Sequence, residues 1–157
     1  MHHLWLAEND CANVPHDVEY SVTMCGLGRQ TYRLRPPEPI MRDIYERLLP
    51  FTGLFNWSGA CMSDASDLGL AMTAAALGRP DDADRHFAEV TAFCEHAGAR
   101  SYLARCHFFW LMVLADRGDA TRAREQAEIT IGLGTELGMT GPQGVVPRAE
   151  SILLQIA

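Results

Sequence analysis

The sequence predicts an all-α fold of about seven helices, built as repeated helical hairpins in a single domain over residues 1–157. Three observations predict it. Shifting the chain by 40 positions superimposes Met72 on Met112, Ala75 on Ala115, Gly78 on Gly118, Ala83 on Ala123 and Gly98 on Gly138. Apolar residues recur at steps of three and four in each long segment, as one face of a 3.6-residue helix requires. The glycines among the matched positions fall where helices must end in the left-handed conformation that glycine tolerates.

The elements follow in order as three helix pairs, over about 17–50, 64–97 and 101–138, and a C-terminal cap over about 145–156. From Asp17 to Arg35 two periods compete: Val18, Tyr20, Val22 and Met24 alternate like a strand, while Tyr20, Met24, Leu27, Thr31 and Leu34 step like a helix. Length favours the helix, with Gly26-Leu27-Gly28 as a weak point or break in it. After Pro36-Pro37, the residues Ile40, Ile44, Tyr45, Leu48 and Leu49 line a second helix that ends near Pro50. No paired sheet is expected anywhere.

In the second pair Ala83, Phe87, Val90, Cys94 and Ala97 share a face, Pro80 suits the first turn, and Asp81, Asp82 and Asp84 complement the positive end of the helix dipole. In the third, the helix from about Ser101 to Asp116 is apolar nearly all round, and Asp119 is the natural N-cap of a helix carrying Ala123, Ala127 and Ile131 inward. Ala83 and Ala123 are small where two helices of a hairpin approach most closely. Ile152, Leu153 and Ile156 mark the cap.

Composition bounds the function classes. Thirteen Lys and Arg against twenty Asp and Glu give a formal charge of -7, which repels the phosphate backbone, so direct nucleic-acid binding is not expected. The longest apolar run, Phe108 to Ala115, is too short to span a bilayer, and the first ten residues turn acidic where a signal peptide would stay apolar. A cytoplasmic location and no membrane association are expected. Cys11, Cys25, Cys61, Cys94 and Cys106 are widely spaced without a Cys-x-x-Cys pair and are read as reduced thiols.

Catalytic candidates are weak. His2 and His3 are terminal, His86 and His96 read as solvent-side residues, and His107 points away from Cys106 on a helix. The acidic run at Asp81, Asp82 and Asp84 is explained by its helix start without a metal. No catalytic residue, cofactor or metal ligand is therefore assigned. One surface stripe remains: Tyr102, Arg105, Phe109 and Met112 step by 3, 4 and 3, and such side chains are enriched at protein interfaces.

Several stretches resemble a known family. Leu48-Leu49-Pro50-Phe51, Asp67-Leu68-Gly69-Leu70, Ala75-Ala76-Leu77-Gly78-Arg79, Ala83-Asp84-Arg85-His86-Phe87 and Leu137-Gly138-Met139 look like the C-terminal, tetratricopeptide-like repeats of large bacterial signalling ATPases. In those proteins a nucleotide-binding module and an α-solenoid are joined to an adenylate cyclase or a LuxR-type DNA-binding domain. This chain carries no phosphate-binding loop, helix-turn-helix or cyclase segment, so the resemblance implies only the fold and a role in protein-protein contact or effector sensing. The expected function is a non-enzymatic interaction module for a protein partner; the alternative is a domain that senses a small effector. Self-association as a homodimer is expected through Leu4, Trp5 and Leu6, which resemble the tail of a helix that lacks its packing partner.

Overall fold

The computed structural model describes residues 11, 14–17, 19–59 and 62–156. Within them the chain is mostly helical: α1 (Tyr20–Leu34), α2 (Glu38–Leu48) with a 3-10 turn at Leu49–Phe51, α3 (Ser66–Ala76), α4 (Pro80–His96), α5 (Arg100–Asp116), α6 (Ala120–Glu136) and α7 (Val145–Gln155). A short antiparallel hairpin, β1 (Phe55–Trp57) and β2 (Met62–Ala65), corrects the expectation of no paired sheet. Its residues lie in the one long interval where no helical spacing runs. Phe55 and Trp57 favour extended backbone, and Gly53 and Gly59 bend the chain with φ of 76° and 79°. The buried Asn56 side chain then ties the hairpin, donating to Asp64 O at 2.6 Å and accepting from Ser66 Oγ at 3.1 Å.

Two compact units divide the chain, one reaching to Val90 and the other beginning at Thr91. In the first, α1, α2 and α3 bury Met24, Cys25, Leu27, Ile44, Leu48 and Leu70 together. Tyr20, Met24, Leu27 and Thr31 point inward as the helical period predicts, whereas Leu34 is 48% exposed. Gly26-Leu27-Gly28 does not break the helix, which runs continuously from Tyr20 to Leu34. Gly28 is where α1 meets α3, and a Cβ there would stand 2.8 Å from Gly69 O. Gly69 is as tight, since its Cβ would lie 2.7 Å from Leu48 Cδ2 and 3.1 Å from Cys25 Cα. Thr73 Oγ1 bridges the crossing by donating to Gly28 O on α1 at 3.2 Å.

The predicted glycine punctuation is present in every case. Gly78, Gly98, Gly118 and Gly138 have φ of 70°, 64°, 81° and 69°. Each amide donates to the carbonyl three residues back, and the next residue donates five back: Arg79 to Ala74, Ala99 to Cys94, Asp119 to Leu114 and Met139 to Gly134. This is the paired closure that satisfies the last carbonyls of a helix. It recurs every twenty residues, and α4, α5 and α6 are each 17 residues long.

In the second unit α5, α6 and α7 enclose Ala104, Phe108, Leu111, Leu114, Ala123, Ala127, Val145 and Val146. Asp119 caps α6 as expected, accepting from the Arg122 amide at 3.3 Å. Gly134 lets α7 come close, for a Cβ there would meet Val146 Cγ2 at 2.6 Å. Among the described residues no helix is long and apolar enough to cross a membrane.

Candidate functional site at a buried histidine

His86 departs most from its sequence reading. It is fully buried, not solvent-side, because Ala83, His86, Phe87 and Val90 occupy one inward face of α4. That i, i+3, i+4, i+7 register was readable in the sequence. The polarity of histidine masked it. Around the ring, Nδ1 lies 3.0 Å from Oδ1 of the equally buried Asp67 and 3.4 Å from Glu89 Oε2. Nε2 lies 3.0 Å from the Tyr45 hydroxyl and 3.2 Å from Arg85 Nη2. Asp67, in the first turn of α3, receives the Gly53 amide on its other oxygen at 2.6 Å. Four segments thus converge on one imidazole: α2, the Gly53 turn, α3 and α4.

The donor inventory orders this network. Arginine only donates, so Nε2 accepts from Arg85 and Tyr45, and the ring proton sits on Nδ1 and goes to Asp67. Burial pushes the Tyr45 phenol above its ordinary value, with Asp82 adding to the effect, so it stays a neutral donor. Arg85 is held more firmly protonated by its bond to Asp82. Both ring nitrogens are engaged and the ring has no exposed surface, so these hydrogen bonds fasten α2, α3 and α4 together.

The second unit contains its counterpart. His107 on α5 and Gln126 on α6 are both buried, and His107 Nδ1 lies 2.7 Å from Gln126 Oε1. These positions are Asp67 and His86 displaced by 40 residues, and in each pair the partners are 19 residues apart. Each hairpin carries one buried polar pair at the same register.

Burial lowers the His107 pKa below its ordinary 6.5, partly opposed by the bond to Gln126. The folded state therefore binds fewer protons than the unfolded state in this range. The stabilisation is full above pH 6.5 and is lost as pH falls through 6.5 towards the lower folded value. Melting temperature is expected to drop from pH 7.5 to pH 5.5, with a shallower drop in His107→Asn; equal slopes would contradict the assignment.

The predicted stripe on α5 is half-buried at all four positions, Tyr102, Arg105, Phe109 and Met112. The Arg105 guanidinium lies 5.9 Å over the Tyr102 ring, and Phe109 and Met112 pack against the core of the second unit. Leu4, Trp5 and Leu6 lie outside the described residues, as does Cys61. Cys11, Cys25, Cys94 and Cys106 are buried.

A second surface was not foreseen. Trp57 and Met62 are cross-strand partners and therefore share a face of the hairpin, where they are 57% and 48% exposed, with Leu54 nearby in sequence at 52%. Strand periodicity over three residues is too short a signal to have revealed it. No protein-family model, no curated protein and no solved structure matches the chain.

Proposed function

We propose that this chain is a non-enzymatic protein-protein interaction module of the tetratricopeptide-like kind, with a regulatory role akin to that of the helical repeats of bacterial signalling ATPases. The observation that carries the proposal is the recurrence at a 40-residue register. The glycine closures and the buried pairs Asp67–His86 and His107–Gln126 both repeat, which is how a stacked hairpin array is specified. Such arrays act by surface. The exposed Trp57 and Met62, and the half-buried Tyr102 and Arg105, are residue types favoured in binding hot spots or interfaces.

The test is quantitative binding of a partner captured from native cells and then purified. Trp57→Asp or Arg105→Glu is expected to weaken binding about thirtyfold or more, a hot-spot loss of about 2 kcal/mol, with the far-ultraviolet spectrum unchanged. Unchanged affinity in both variants would reject these faces, and tight stoichiometric ATP binding would reject the module itself. The homodimer expected through Leu4, Trp5 and Leu6 has its own readout: light scattering of wild type and Trp5→Asp. A monomeric wild type, or a dimer indifferent to the substitution, removes that part.

A further inference from the structure

We infer that Asp67, His86 and Glu89 form a binding site for a divalent transition-metal ion. Their ligand atoms all lie within 4.8 Å of one another. The separations from Nδ1, 3.0 Å to Asp67 and 3.4 Å to Glu89, bracket the edge of about 3.3 Å between tetrahedral ligands bonded at about 2.0 to 2.1 Å. The second hairpin shows what the first would need if the pair only fastened helices. There His107–Gln126 suffices, and the residue at the place of Glu89 is Ile129. In the first hairpin a second carboxylate reaches a nitrogen that has one proton to give.

The surroundings suit a metal ligand. Asp67 is oriented by the Gly53 amide on its far oxygen, and His86 by Tyr45 behind its far nitrogen, the outer contacts that hold ligating side chains in place. His86 and Glu89 are three residues apart on α4 and share a face. Glu89 is 45% exposed at its side chain, so its carboxylate can be reached from solvent. One imidazole with two carboxylates suits zinc or another first-row ion better than calcium or magnesium, which take oxygen ligands in larger number.

Protons balance without net release. Nδ1 gives its lone pair to the ion, and the ring proton moves to Nε2 and is donated to the Tyr45 oxygen. Tyr45 turns its own hydroxyl proton away. Arg85 turns from the ring while keeping Asp82, already 3.2 Å from the same Nη2.

The experiment uses the full chain with His2→Ala and His3→Ala, which removes the terminal imidazoles as competing ligands. Zinc titration by calorimetry is expected to give one ion per chain and a raised melting temperature. Glu89→Gln, an exposed position that leaves folding intact, is expected to weaken binding on the order of tenfold or more. Cobalt is expected to give visible d-d bands without thiolate-to-metal charge transfer. No binding, several equivalent sites, equal affinity in Glu89→Gln or a thiolate band would each overturn the assignment.

Discussion

Gly69→Val is expected to lower stability by about 3 kcal/mol, at the upper end of what overpacking a core costs. Even its Cβ would enter the 2.7 Å gap to Leu48 Cδ2, and the backbone of Cys25 stands at 3.1 Å behind it. Leu48 can rotate, whereas the α1 backbone cannot yield without separating α1 from α3. Gly69→Ala should show the same sign at smaller size. Gly26→Ala is the control: nothing lies within 4 Å of that position, so alanine adds helix propensity and no clash. Urea unfolding of the three variants checks this. A loss in Gly69→Val below about 0.5 kcal/mol, the ordinary scatter of surface changes, would contradict the close crossing.

Asp67→Ala is expected to cost about 2 to 3 kcal/mol, because it leaves the fully buried imidazole N–H only the longer 3.4 Å contact to Glu89 and frees the Gly53 amide. Asp67→Asn keeps an oxygen facing His86 and should cost less. The double variant Asp67→Ala/His86→Leu should cost less than the sum of its single changes, since the second substitution removes the stranded polar ring. Thermal or urea unfolding of the cycle measures the coupling, and strict additivity would show that the two side chains act independently.

Much of the helical architecture is legible in the sequence because helices announce themselves locally. Gly78, Gly98, Gly118 and Gly138 terminate helices through their own conformational freedom, and Asp119 caps α6 with its own side chain. The period at Tyr20, Met24, Leu27 and Thr31 outweighs the alternation at Val18 to Met24 because a longer amphipathic run buries more surface.

Tertiary structure decided what no local rule contains. Gly28 reads as a helix breaker until Gly69 from α3 occupies the space its missing side chain leaves. His86 reads as a surface residue until Asp67, nineteen positions earlier, and Tyr45, forty-one earlier, supply the hydrogen bonds that make burial tolerable. The hairpin at Phe55–Ala65 depends on cross-strand pairing and on Asn56, which a three-residue strand cannot signal alone. The sequence by itself determined where helices start, stop and turn their apolar faces, because those choices depend on neighbours within a turn or two. Which polar groups become buried, and therefore which could hold a ligand, was decided by partners brought together from distant positions.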